Sequence, residues 1–384
     1  MSQIIMPTAP KLVAMALGLR LMSSVVGFLA AVTFPAYTDQ HFSVFARPNA
    51  FWDTFARYDA GWYYGIAAHG YQYVDGGRSN LAFFPVYPML MRAGGWLFGG
   101  QQPAYYLSGI AVSWLAFSAA MVLLYQLARV DLDHRSALRA TAYAAMFPSA
   151  YFFGRVYSEA VFFLMLLATV LALRKQRWLL ACLAGAVMTA TRVNGVAFLP
   201  ALALIAWQSS APNPRDRRAA IAAVGGMTLG ILAYSAYNYE LAGDPLAWYY
   251  SIQRWGYHPF GNPLSGLVAI WRQLLTRPYE FLAVEPMAPY DAFNATLATM
   301  MLVAVPFVWK RFGAAYAMLI VLGLAIPLSS GQYEGLGRYC SVLFPLPLLL
   351  ASFKGETRHL VLLASSAMLY ALALALFVNV HPLF

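Results

Sequence analysis

Four short stretches place ionisable side chains among neighbours that are almost all hydrocarbon. They are Arg57 and Asp59 with His69 further on, Tyr157-Ser158-Glu159, Arg192 with Asn194, and Arg338. A carboxylate can take a proton from a hydroxyl as that hydroxyl attacks. Arginine offers a planar fork of donors that suits phosphate. A carboxylate beside several arginines therefore describes transfer of a sugar from a lipid phosphate. Asp59 is the expected chemical centre, and Arg57, two residues before it, is close enough in sequence to pair with it. Other chemistries lack their residues. There is no P-loop, no G-x-G-x-x-G before a helix and no G-x-S-x-G elbow. No Cys/His cluster has zinc spacing, and Cys182 and Cys340 both fall in apolar runs. No metal, cofactor or nucleic acid is expected.

The elements that must position these residues are membrane helices. Of 384 residues, 61% are hydrophobic and only 10% charged, against about 25% charged in a soluble domain. The net charge of +10 is read as basic cytoplasmic loops. Basic clusters at Arg135/Arg139, Arg174-Lys175-Gln176-Arg177, Arg215/Arg217/Arg218, Lys310-Arg311 and Lys354/Arg358 punctuate the chain. The apolar blocks between the first of these are roughly twice the ~20 residues a single crossing needs. Each block thus reads as a hairpin that crosses and returns. All the lysines (Lys11, Lys175, Lys310, Lys354) then share one side with the N-terminus, and the positive-inside rule makes it the cytoplasm.

This gives an all-α polytopic membrane protein of about 11 transmembrane helices over residues 1–384, with spans expected at 12–34 and 105–128. A first extracytoplasmic loop over 35–104 carries Asp59, and its apolar but Pro- and Gly-broken part at 82–98 reads as an interfacial helix. A second long loop over 239–291 is rich in aromatic residues, with another interfacial helix expected over 246–263. Glu334 falls on the same outer side. The hairpins at 139–174 and 178–214 have short arms, so their polar tips are expected below the membrane surface. Charges survive there only when they line a protein cavity.

The sequence also resembles a known family. Trp52, Arg57-Tyr58-Asp59-Ala60, Trp62-Tyr63, Ile66-Ala67-Ala68-His69-Gly70-Tyr71 and Ala82-Phe83-Phe84-Pro85-Val86-Tyr87-Pro88 are similar to the PIG-V family (GPI mannosyltransferase II) and its bacterial relatives. Phe147-Pro148-Ser149-Ala150, Tyr157-Ser158-Glu159-Ala160 and Thr191-Arg192-Val193-Asn194-Gly195 extend the resemblance to about residue 200. Arg338-Tyr339 and Pro345 continue it loosely. Tyr58 stands where the family pattern has Trp.

The resemblance implies a GT-C glycosyltransferase that takes a hexose, mannose above all, from a polyprenyl-phosphate donor on the non-cytoplasmic face. The acceptor, whether glycan, lipid or protein, is left open. Carried over by position, Asp59 is the general base. Arg57, His69, Tyr157, Glu159, Arg192, Asn194 and Arg338 are the supporting or donor-phosphate contacts. Short loops favour a bacterial inner membrane. The competing reading is a lipid or glycan transporter, or flippase, that forms no covalent product.

Overall fold

A backbone surrounded by hydrocarbon has to satisfy its own N–H and C=O groups, so the apolar runs form helices. The computed structural model describes residues 8–210, 212, 214–257, 261–331, 333 and 335–383, and among these there is no strand. The first part comprises α1 (Thr8–Thr33), α2 (Ala60–His69), α3 (Val86–Leu97), α4 (Gln102–Asp131), α5 (His134–Ala145), α6 (Glu159–Arg174) and α7 (Trp178–Thr189). It continues through α8 (Asn194–Ala197), α9 (Leu199–Ser209), α10 (Pro214–Gly226) and α11 (Leu229–Ala242). The second part comprises α12 (Ala247–Arg254), α13 (Ser265–Thr276), α14 (Pro278–Val284), α15 (Ala288–Phe312), α16 (Ala314–Ser329), α17 (Leu336–Ser341), α18 (Pro345–Ala351) and α19 (Glu356–Val378).

Among the described residues, five stretches are long and apolar enough to cross a membrane: α1, α4, α10 with α11, α15 and α19. α7, α9 and α16 are apolar but shorter. The chain is an all-α polytopic membrane protein. The spans expected at 12–34 and 105–128 are α1 and α4. The interfacial helix expected at 82–98 is α3, which lies along α4. Of the helix expected over 246–263, only Ala247–Arg254 is helical, as α12, and the described residues 255–257 and 261–263 are not; residues 258–260 and Glu334 lie outside the described residues.

The segment between α5 and α6 shows how polar backbone is tolerated deep in the bundle. Residues 147–160 are all buried, and only Ala150–Gly154 forms a short 3-10 turn. Two buried arginines tie the segment down, one by capping its open carbonyls and one by reaching out to its neighbours. Arg20 of α1 donates to the carbonyls of Ala150 at 2.7 Å and Ala145 at 3.3 Å. Its guanidinium also stands 4.4 Å from the Phe117 ring centre. Arg155 donates to Thr54 Oγ1 at 3.2 Å and to the Ser23 carbonyl at 3.4 Å. α1 passes this close through Gly27, where a Cβ would meet Arg155 Nη2 at 2.9 Å.

The helices carry their charge at opposite ends. Arg174 and Lys175 close α6, whose first residue is Glu159, about 22 Å away along the axis. At that basic end Arg174 pairs with Asp131 at 2.9 Å, and Trp178 Nε1 donates to Asp216 at 2.7 Å. Arg135 and Arg139 pair there with Glu356.

Candidate active site

The site is assembled where α2 and α6 begin. α2 starts beside Asp59, and the turn into it is made by Tyr58 in a left-handed conformation, φ +51°. For a bulky residue this backbone costs about 1–2 kcal/mol, so something has to hold it. The Tyr58 hydroxyl donates to the His381 carbonyl at 2.6 Å, and its ring lies 5.8 Å from Phe377 and 5.8 Å from Phe42. Arg57 Nε donates to the Val378 carbonyl at 3.0 Å. The C-terminal tail beyond α19 therefore straps the loop in place. The tail is anchored in turn, because Asn379 Nδ2 donates to the Ala30 carbonyl and the Tyr290 hydroxyl meets His381 Nδ1 at 2.7 Å.

This changes the expected partner of Asp59. Arg57, adjacent in sequence, is turned away to the tail, and the carboxylate is bound instead by Arg338 Nη1 of α17. A two-residue spacing across a left-handed turn points the two side chains apart, so the ion pair is made over the fold and not along the chain. Arg338 also lies 3.8 Å, through Nε, from Glu159 Oε1, and the same oxygen is bound by Arg192 Nη1. The four side chains thus alternate in sign: Asp59, Arg338, Glu159, Arg192. Glu159 is wholly buried in the first turn of α6, where the helix dipole favours an anion. α17 reaches the site through Gly337, whose N–H donates to Asn294 Oδ1 at 2.8 Å and whose Cβ, if present, would fall 2.5 Å from Ser149 Oγ.

Aromatic and hydroxyl groups close the cluster. The Tyr63 hydroxyl is 2.9 Å from Ser158 Oγ, which also accepts from Arg192 at 3.2 Å. Burial, and after it the Glu159 charge, pushes the Tyr63 phenol well above its ordinary range, so it stays a proton donor. The Tyr157 hydroxyl donates to the Arg57 carbonyl at 3.2 Å. The guanidinium of Arg192 stands 4.9 Å from the Tyr339 ring centre, and that of Arg338 stands 5.8 Å from the Tyr157 ring centre. Two buried atoms of this cluster, Arg338 Nε and Glu159 Oε2, have no hydrogen-bond partner among the described residues. Buried ionised groups normally fill their hydrogen-bond capacity, so the cluster holds both donor and acceptor capacity in reserve. Among the described residues no group of three His, Cys, Asp or Glu side chains is placed to hold a metal ion.

The family model for mannosyltransferase (PIG-V) matches residues 21–234. The chain belongs to that family. The matched PIG-V region contains Asp59, Glu159 and Arg192 and ends before Arg338. No curated protein matches the chain. Among solved structures it is similar to the Archaeoglobus fulgidus oligosaccharyltransferase in its apo form, at 12% identity and a TM-score of 0.48, covering 96% of this chain and 56% of that one. The same enzyme tethered to an acceptor peptide gives 12% identity and a TM-score of 0.46, covering 96% and 55%. Its complex with an inhibitory peptide and a dolichol-phosphate gives 10% and 0.42, covering 96% and 56%. The chain spans a little over half the length of these structures.

Of the residues singled out from the sequence, Asp59, Arg338, Glu159, Arg192 and Tyr157 come together in this PIG-V chain, and Arg57 joins them through its carbonyl. His69 does not: it is exposed at the far end of α2, about 15 Å along the helix from Asp59. Asn194 is buried, and its amide donates to the Gly323 carbonyl at 3.2 Å, bracing α8 against α16. Sequence reading passed over Arg20, Arg155 and the Tyr63–Ser158 pair. Arg20 had a legible signal, a lone arginine inside the first span. The pairing of Tyr63 with Ser158 had none: Tyr63 enters only through the family resemblance, and its contact is made across the fold.

Proposed function

We propose that the chain is a GT-C glycosyltransferase that moves a hexose, mannose in the first instance, from a polyprenyl-phosphate donor to an acceptor hydroxyl. The alternating Asp59–Arg338–Glu159–Arg192 cluster carries this reading. A site that handles a leaving phosphate needs fixed cationic donors beside a proton acceptor, and Arg338 supplies the donors while touching the acceptor, Asp59.

In the reaction proposed, the Asp59 carboxylate takes the proton of the acceptor hydroxyl as that oxygen bonds to the anomeric carbon. The bond from that carbon to the donor phosphate oxygen breaks on the opposite face, its electron pair stays on the phosphate, and the anomeric configuration inverts. Arg338, with its reserve Nε, and Arg192 stabilise the phosphate dianion that leaves. Glu159 holds both guanidinium groups in register and offsets their mutual repulsion before the donor arrives. The charge distribution supports an extracytoplasmic site: Lys175 and Lys310 close α6 and α15, Lys11 opens α1, and the loop with Asp59 follows the far end of α1. A bacterial inner membrane, with lipid around the apolar helices, remains the setting proposed.

The test is transfer of labelled mannose from a polyprenyl-phosphate mannose by the protein in nanodiscs, with an extract of lipids and glycans as acceptor source. Asp59→Asn is expected to lower the rate by about 10²–10⁴-fold, the span of general-base effects, while donor binding persists. Transfer by that variant at more than a tenth of the wild-type rate would remove Asp59 from the role. Movement of the donor across the bilayer without a covalent product would favour a flippase.

A further inference from the structure

Away from the charge cluster, a cleft of about 440 Å³ opens between the 71–79 segment and the stretch leading into and along α12. Its walls include Tyr73, Asp75, Asp244, Tyr250, Ser251 and Arg254. None of these takes part in the cluster around Asp59. The size falls within the range of small-ligand sites, about 300–1,000 Å³, but the lining is polar where such sites are usually apolar.

Three features indicate what it takes. Tyr73 and Tyr250 leave 42% and 48% of their surface exposed, so aromatic faces are open beside the cleft. Asp75 accepts from the Tyr73 hydroxyl at 3.2 Å and Asp244 accepts from the Leu246 N–H at 2.8 Å, bonds that leave each carboxylate with acceptor sites to spare. Ser251 is only 4% exposed, yet it lines the cleft and its hydroxyl joins no hydrogen bond among the described residues. That hydroxyl is therefore left to a group entering from the cleft. Carboxylates that accept from pairs of hydroxyls, a hydroxyl, a guanidinium and flat aromatic faces together match a sugar ring, which has hydroxyls at its rim and C–H groups on its face. Two carboxylates repel a phosphate, and a polar lining disfavours an acyl chain.

The cleft also connects to the reaction centre. Trp255, next after Arg254, donates from its indole to the Ser79 carbonyl at 3.2 Å. Its ring meets Trp62 edge-on at 4.8 Å, and Trp62 stacks on Phe83 at 5.9 Å. Trp62 lies in the first turn of α2, just after Asp59. Aromatic contacts therefore join the residue that follows Arg254 to the helix that begins at Asp59.

We propose that this cleft is an acceptor subsite that holds a neutral glycan by a residue remote from the hydroxyl that reacts. The proposal rests on the transferase reading above, from which it takes the word acceptor; the binding of a neutral glycan stands independently. The probe is mannobiose, observed by saturation-transfer NMR on the full chain in nanodiscs. Wild type and Asp59→Asn are expected to bind it alike. Asp75→Ala/Asp244→Ala and the cleft-filling Ser251→Trp are expected to bind it at least tenfold more weakly, with binding of a polyprenyl phosphate unchanged as a check on folding. Asp75 is on an exposed loop, so the first variant removes no core contact there.

No saturation transfer with wild type, or equal transfer with both cleft variants, overturns the proposal. Displacement of mannobiose by choline at equal concentration also overturns it, in favour of a cation site. The two readings fail separately. Cleft-dependent mannobiose binding without any sugar transfer leaves the subsite standing and sinks the transferase. Transfer with an unchanged acceptor KM in Asp75→Ala/Asp244→Ala does the reverse.

Discussion

Two parts of the same loop are built on opposite terms. Between residues 51 and 63, nearly every polar side chain that bonds reaches a distant part of the chain: Arg57 to Val378, Tyr58 to His381, Asp59 to Arg338 and Tyr63 to Ser158. Between residues 71 and 79 the bonds are mostly to near neighbours, such as Gln72 N–H to Asn80, Val74 N–H to Ser79 and Tyr73 to Asp75. The first part is largely buried and keeps Tyr58 in a costly backbone conformation. The second is exposed and borders a cleft. Proton transfer depends on ångström-level placement, which long-range bonds impose. Recognition of an incoming molecule needs open surface on a supported frame. On the function and subsite proposed, the difference separates a region that fixes the chemistry from one that meets the ligand.

The sharpest way to break this comparison is through the charge cluster. Glu159→Gln leaves Arg338 and Arg192 buried without their shared anion, and removing one partner of a buried pair costs about 3–5 kcal/mol. Thermal unfolding in detergent should fall accordingly, and adding Arg192→Met should recover part of the loss. A drop under about 1 kcal/mol, the worth of an exposed pair, would mean that the cluster is solvated and is not a fixed frame.

Next comes the strap. Tyr58→Phe removes one hydrogen bond, worth about 1 kcal/mol, so kcat should fall roughly fivefold with the donor KM little changed. A change in KM alone would place Tyr58 in binding and not in positioning. The loop at 71–79 should show the converse: Asp75→Ala is expected to raise the acceptor KM by several-fold, about 1 kcal/mol for one lost bond, with kcat held. If Asp75→Ala and Tyr58→Phe move the same kinetic constant, the division between the two regions fails.

The smallest effect is on pH. Burial holds the His381 imidazole below its ordinary value of 6.5, so the fold favours the neutral ring, which hydrogen-bonds with the Tyr290 hydroxyl. The unfolded chain then binds more protons than the folded one just below that value. The stability from this contact is full above about pH 6.5 and declines as pH falls from there to the folded-state pKa. Thermal unfolding between pH 7 and 5 should show this slope in wild type and lose it in His381→Gln. An identical slope in both would assign it elsewhere.

Much of the fold was legible because lipid leaves few choices. The spans at α1 and α4 and the short arms around residues 147–160 follow from hydropathy and charge alone. Asp59, Glu159, Arg192 and Arg338 were legible as candidates because a charge is costly among apolar residues. Their pairing was not. Arg57 is two residues from Asp59, yet Arg338, 279 positions away, binds it, because a left-handed turn and a tail strap decide where each side chain points. Likewise the buried Arg20 that caps the Ala145 and Ala150 carbonyls, the distance of His69 from Asp59 and the turn of Asn194 toward Gly323 depend on which helices meet. The sequence alone set which residues would have to be sheltered inside the bundle, since solvation energy is a property of each side chain. Only the tertiary structure decided which of them share an oxygen, since that depends on directions no local pattern encodes.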